Sequence, residues 1–179
     1  MHNYIFKSTR LGFRNWHLND LDTLAKINDD DDVMEFFPFK PTKSDTEDFI
    51  FRMQNMQQEK GFSYFAVDLL ENNECIGFIG LCEQNYLVDP KPFVDIGWRL
   101  KKSTWGKGYA TEGAFACIDF GFNKLGLQTI YSVAPEINTK SESVMKKIGM
   151  VQVEVFDHPK LLNDNRLRRC VLYKKEKNS

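Results

Sequence analysis

Ile96-Gly97-Trp98-Arg99-Leu100 has the apolar and aromatic content of a strand, and the chain then turns at Gly106-Lys107-Gly108. Beyond the glycines, Ala114, Phe115, Ile118, Phe122 and Leu125 recur at the period of a helix over Thr111–Lys124, with Gly126 placed to stop it. A strand, a glycine turn and a helix in that order leave the first amides of the helix without intrahelical partners. Those amides point outward at the positive end of the helix dipole, and the glycines let backbone approach a bound anion closely. Lys101, Lys102 and Lys107 add positive charge to a chain whose formal charge is −1, so any anion site here is local. The segment is not a P-loop, because GxxxxGK[ST] is absent. Thr111 stands where a dinucleotide fingerprint needs its third glycine.

The other segments alternate between the two periods. Tyr4–Trp16, Phe62–Leu70, Cys75–Glu83, Pro92–Leu100, Gln128–Ala134, Val151–His158 and Arg168–Lys174 read as strands. Asn19 or Asp20 can cap a helix carrying Leu21, Leu24 and Ile27, which the run Asp29–Asp32 stops. Ser44 and Glu47 have capping-box spacing for a second helix that Gly61 ends. Ser141–Ile148 is a short helix closed by Gly149. This order describes an α+β layout around one mostly antiparallel sheet. The length of 179 residues suits a single domain, and 42% apolar with 27% charged residues is the composition of a soluble globular chain.

Several functional classes are disfavoured. The near-neutral charge gives no field for nucleic acid or anionic lipid, and no apolar run is long enough to span a membrane. Cys75, Cys82, Cys117 and Cys170 form no CxxC pair, so no metal site is expected. Free thiols, with no apolar run in Met1–Arg10, point to the cytoplasm.

A second segment bears on the glycine turn. A strand ends at Ala134-Pro135, and the chain continues Asn138-Thr139-Lys140-Ser141-Glu142-Ser143-Val144-Met145-Lys146-Lys147-Ile148-Gly149-Met150. Asn138 can simply cap the short helix. Together, however, the two segments resemble the coenzyme A site of the GNAT acetyltransferases, and most closely their ribosomal-protein N-acetyltransferase-like branch. That branch reads WGKGYATEA after an IGWRL strand, then N-x-x-S-x-x-V-x-x-K-x-G-M or -F. The matching residues are Ile96–Leu100, Trp105 to Glu112, and Asn138, Ser141, Val144, Lys147, Gly149 and Met150. Thr9-Arg10-Leu11, Arg14 and Asp157-His158-Pro159 extend the likeness over nearly the whole chain. One position departs: Ser103 stands where the family often has Arg or Gln.

The resemblance implies a GNAT fold over residues 1–179, with a sheet of six to seven strands splayed at the fourth and about four flanking helices. It implies acetyl-CoA as cosubstrate, without a metal. Backbone groups of Trp98, Arg99 and Leu100 would pair with the pantetheine arm. Lys101, Trp105, Gly106, Lys107, Gly108, Tyr109, Ala110, Thr111, Asn138, Ser143 and Lys147 would complete the cofactor site. For the general base, Asp95 and Glu83 are the strand carboxylates. The branch often carries Glu at position 95, and the shorter Asp implies a bridging water. Many family members carry an acidic Tyr where this chain has Met145, which leaves Ser141 as proton donor to the thiolate, with Ser143 in reserve.

Phe36, Phe37 and Phe39 fall where the family shapes its acceptor cleft, and His158 falls on the opposite wall. The branch often has His where this chain has Cys170. The implied acceptor is a primary amine, on a protein N-terminus or a small molecule, used by a monomer or homodimer. Two readings compete with acetyl transfer: a non-catalytic acyl-CoA-binding module and an unrelated nucleotide-binding domain.

Overall fold

In the computed structural model, which describes residues 3–87 and 92–177, the first strand segment is broken in two. A turn at Ser8–Arg10 separates β1 (Phe6–Lys7) from β2 (Leu11–Arg14), and the two pair antiparallel with Phe6 opposite Phe13. The described sheet therefore has eight strands rather than six or seven. The others are β3 (Tyr64–Leu69), β4 (Glu74–Gln84), β5 (Phe93–Leu100), β6 (Thr129–Pro135), β7 (Val151–Asp157) and β8 (Arg169–Glu176). Their spatial order is β1-β2-β3-β4-β5-β6-β8-β7. Among the described residues five α-helices flank the sheet: α1 (Leu21–Asp29), α2 (Asp31–Met34), α3 (Lys43–Lys60), α4 (Tyr109–Asn123) and α5 (Thr139–Lys147). The acidic run does stop α1. Asp30 then caps the single turn of α2 by accepting from the Asp32 and Val33 amides, which adds the fifth helix.

Each face of the sheet buries its own layer. Ile79, Leu81, Ile96 and Leu100 pack against Ala114, Cys117 and Ile118 of α4 and Met145 of α5. On the opposite face, Trp16, Ala66 and Phe78 meet Leu24 of α1 and Ile50 and Met53 of α3. All four cysteines are free. No helix among the described residues is long and apolar enough to cross a membrane.

Two expected caps are rearranged. Helix α3 begins two residues before the Ser44 box. Thr42 accepts from the Asp45 amide, and Asp45 accepts from the Thr42 amide at 2.9 Å. The earlier start places Thr46 in the first turn, where its hydroxyl donates to the Thr42 carbonyl and accepts from Asn28 Nδ2 at 3.0 Å. Asp20 does not cap α1. Its carboxylate takes two bonds from Arg14, at 2.7 and 2.8 Å, while Arg14 also donates to Asp68 at 2.8 and 2.9 Å. Arg14 is 2% exposed and Asp68 is fully buried, and pairing a buried charge outweighs a cap worth about 1 kcal/mol.

The feature that positions the site is a seam. β4 and β5 pair along their length, from Gly77↔Leu100 to Gln84↔Phe93. β5 and β6 are parallel and share one registered pair, Asp95↔Tyr131. Past it, the Ser132 hydroxyl donates to the Ile96 carbonyl at 3.1 Å, and the Trp105 indole N–H donates to the Leu100 carbonyl at 2.9 Å. Strand alternation turns the Trp98 N–H and C=O toward this same edge, and no β6 residue is registered opposite them.

Candidate active site

The glycine turn sits at the open end of the seam. Lys102–Thr104 forms one 3₁₀ turn after β5, and α4 begins at Tyr109, two residues before the expected start at Thr111. Gly106 and Gly108 have φ of +74° and +80°, the left-handed region that glycine occupies without steric cost. A Cβ at Gly106 would meet nothing within 4 Å, so the loop borders open space. The amides at the start of α4 face that space.

The N-terminal hairpin holds this loop in place, a role the sequence did not reveal. Glu112, in the first turn of α4, accepts from the Ser8 hydroxyl at 2.7 Å, the Arg10 amide at 2.8 Å and Arg10 Nε at 2.7 Å. Arg10 Nη1 donates to the Lys107 carbonyl at 3.1 Å, and its guanidinium lies 4.4 Å from the centre of the Tyr109 ring. Burial alone pushes the Glu112 carboxyl up, but the bonds from Ser8 and Arg10 outweigh it and hold the group below the usual carboxylate range.

A cleft of about 660 Å³ opens along the seam and over the loop. The cofactor-site candidates Trp98, Arg99, Leu100, Trp105, Gly106, Gly108, Tyr109, Ala110, Thr111, Asn138, Ser143 and Lys147 all line it, as does Ser141. Asn138 caps α5 by accepting from the Ser141 amide at 3.1 Å, which fixes that end of the helix toward the cleft. Lys140 extends over the Trp105 ring, 4.8 Å from its centre. Phe36 and Phe37 line the far wall with Asp32 and Val33 of α2. Among the described residues no group of three or more His, Cys, Asp or Glu side chains can hold a metal ion.

Other candidates stand outside this lining. Lys101 pairs with Glu74 and borders a separate hollow, while Lys107 contributes its carbonyl to Arg10. Glu83 pairs with Lys60 at 2.5 Å. Phe39 is 67% exposed, and His158 packs 4.4 Å from the Tyr86 ring. Asp95 is 8% exposed and accepts a bond from the Tyr64 hydroxyl at 2.6 Å. Burial pushes its pKa to about 7, although the Tyr64 and Gln84 bonds pull the other way. Asp95, Gly97 and Arg99 share one face of β5, and Trp98 and Leu100 share the other.

A strand splayed from its neighbour, ending in a glycine turn at a helix start, is a geometry suited to holding an extended anionic ligand. The domain model described as an acetyltransferase (GNAT) domain matches residues 10–151, and the chain belongs to the GNAT acetyltransferase family. It is similar to the uncharacterized N-acetyltransferase YnaD of Bacillus subtilis (strain 168), at 30% identity over 142 residues, covering 79% of each chain. A GNAT-family acetyltransferase structure from Bacillus anthracis aligns with a TM-score of 0.77 at 27% identity, over 95% of this chain and 96% of that one. The spermidine N-acetyltransferase of Vibrio cholerae, in complex with CoA and spermine, shares the fold at a TM-score of 0.74 and 18% identity, over 94% of this chain and 96% of that one.

Proposed function

We propose that residues 1–179 form one acetyl-CoA-dependent N-acetyltransferase domain that transfers the acetyl group directly to a primary amine in a ternary complex. The seam carries this reading: it presents the Trp98 backbone groups beside a left-handed Gly106–Gly108 loop at the start of α4. Those features fit the two parts of coenzyme A. The loop amides of α4 suit its pyrophosphate, and the Trp98 N–H and C=O suit its pantetheine amides. The complex of the V. cholerae relative with CoA supports the assignment by fold.

The residues then divide the proton work. The acceptor amine attacks the thioester carbonyl, a C–N bond forms and the C–S bond breaks. An N–H of the β5 edge steadies the carbonyl oxygen, a role typically worth about 3 kcal/mol. Asp95 takes the proton of the amine through a water, since its carboxylate lies outside the cleft lining. A pKa of about 7 keeps a large share of it ionised at neutral pH and near that of an α-amine, about 8. Ser141 donates to the leaving thiolate, whose parent thiol has a pKa of about 8.5. Overall, one proton moves from the amine to the thiol.

The direct test is free-thiol release from acetyl-CoA across peptides, amino acids, polyamines and aminoglycosides. Tight binding of acetyl-CoA without release for any amine would instead favour a non-catalytic acyl-CoA module.

Asp95→Asn separates the base from its fold. With Asp95 as base, wild-type kcat/KM rises with pH through about 7. The variant should lose that limb and about 10²-fold or more of the rate above it. Stability should move the opposite way. The folded pKa of Asp95 exceeds the ordinary aspartate value of 3.8, so the folded state binds the extra proton and stability falls as pH rises from about 4 to 7. Above pH 7, Asp95→Asn should therefore melt higher than wild type while acting more slowly. An unchanged pH–rate profile would remove Asp95 from the mechanism.

A further inference from the structure

Arg99 differs from the other cations of the cleft. Lys140 and Lys147 are exposed, and water solvates their charge. The Arg99 guanidinium lies between two rings, 4.0 Å from the centre of Phe37 and 5.4 Å from that of Phe78. Nη1 donates to Asn28 Oδ1 at 2.7 Å, a neutral amide whose own Nδ2 is given to Thr46. Nε is buried and has no hydrogen-bond partner. Among the described residues no carboxylate pairs with it. Burial pushes its pKa down to about 10, against a small upward pull from Tyr64, so it stays charged at neutral pH.

A half-buried cation with no anion, one of its nitrogens shut off from any partner, is costly to keep. The same chain answers its fully buried arginine, Arg14, with two carboxylates. The two differ in what lies next to them: Arg14 is sealed in the core, whereas Arg99 borders the cleft. The cleft carboxylate, Asp32, is already paired with Lys102. A polycationic acceptor would therefore meet an unanswered positive charge and no free anion, and an anionic group would meet a planar fork already desolvated for it. On the same β5 face, Asp95 stands four residues away, about 13 Å of strand, so an acceptor that addresses both ends carries its amine and its anion at the two ends of an extended frame, the reach of a short peptide.

We infer that Arg99 receives the carboxylate of the acceptor, and that the acceptor class is a short peptide carrying an amine at one end and a carboxylate at the other. This rests on the cleft being the acyl-transfer site.

The test uses the full chain with tripeptides and tetrapeptides, the C-terminal carboxamide of each, and spermidine as a polycationic reference. Thiol release from acetyl-CoA reports turnover. Calorimetric titration of the same compounds into coenzyme A-loaded protein reports binding independently. At least one peptide should be favoured over its carboxamide by about 30-fold, the ratio expected for a hydrogen-bonded charge pair. Arg99→Gln should bring that ratio close to one, and Arg99→Lys should keep part of it. The affinity for coenzyme A should hold in both variants, because the strand edge that faces the seam is the Trp98 backbone, whereas residue 99 pairs with β4 and its side chain lies on the other face of β5 from Trp98. Equal binding of acid and amide, a preference for spermidine, or loss of coenzyme A affinity in Arg99→Gln would each overturn the assignment. The last would give the anion to the cofactor instead. Absence of turnover alone would strike at acetyl transfer, while the calorimetric ratio still decides the role of Arg99.

Discussion

Arg14→Met should destabilise the protein by about 3–5 kcal/mol, the usual cost of removing one partner from a buried ion pair. In a chain of this size that is a fall of about 10 °C in Tm. The reason lies in what stays behind. Asp20 is 8% exposed and Asp68 is fully buried, and both carboxylates lose the guanidinium that bridges them. The deficit should depend on pH. Burial pushes the Asp20 carboxyl up, but Arg14 outweighs it and holds the group below 3.8 in the wild type. Its stabilisation is therefore present above about pH 4 and lost as pH falls further. The difference between wild type and variant should narrow in acid, because the variant never had that contribution. Replacing Arg14, Asp20 and Asp68 together by apolar residues of similar volume should recover much of the loss. Chemical denaturation at pH 7 and at about pH 2.5 measures all of this. A loss below about 1 kcal/mol at pH 7, the range of a solvated pair, would mean that the triad is not desolvated.

Gly108→Glu should lower the affinity for coenzyme A by at least about 100-fold, the scale set by losing charge-assisted bonds to a phosphate and adding a like charge. The new carboxylate would stand at the start of α4, where the open amides lie. The substitution also carries a structural penalty, because residue 108 has φ of +80°. An L-residue there costs about 1–2 kcal/mol, so the variant should fold but melt lower. Gly108→Ala provides the control: it bears the same backbone strain without the charge. A titration in which the alanine and glutamate variants weaken equally would point to loop geometry alone. Unchanged affinity in both would place the cofactor elsewhere.

What could be read from the sequence was local, and what could not was mostly long-range. The glycine turn, the strand before it and the helix after it depend on residues close in sequence, and they stand where their pattern puts them. Helix α3 ends at Gly61 as its spacing requires, yet it starts at the Thr42–Asp45 box rather than the equally spaced Ser44–Glu47 box. Asn28, eighteen residues away, decides between them by reaching Thr46. Asp20 had the chemistry of a cap and was taken by Arg14. The single first strand breaks where Ser8 and Arg10 reach Glu112, more than a hundred residues on. Within the candidate site the pattern is the same. Lys101 looked like part of the phosphate loop, but β4 offers it Glu74 on the far side. Arg99 belonged to the cofactor strand through its backbone, while its side chain, on the opposite face, raises the question of the acceptor. No spacing rule could announce that its Nε has no partner.

The seam between β5 and β6 has a consequence for how stability is regulated. A sheet ordinarily closes its backbone hydrogen bonds within the chain, so its cohesion is an intrinsic property of the sequence. Here two blocks, β1 to β5 on one side and β6, β8 and β7 on the other, share a single registered pair, and no β6 residue is registered opposite the Trp98 edge. If the cofactor pairs with that edge, cohesion between the blocks becomes a function of its concentration, about 2.7 kcal/mol at a hundredfold excess over Kd. The protein would then be firmest when charged with its cosubstrate, and metabolic supply would set its resistance to unfolding as well as its rate.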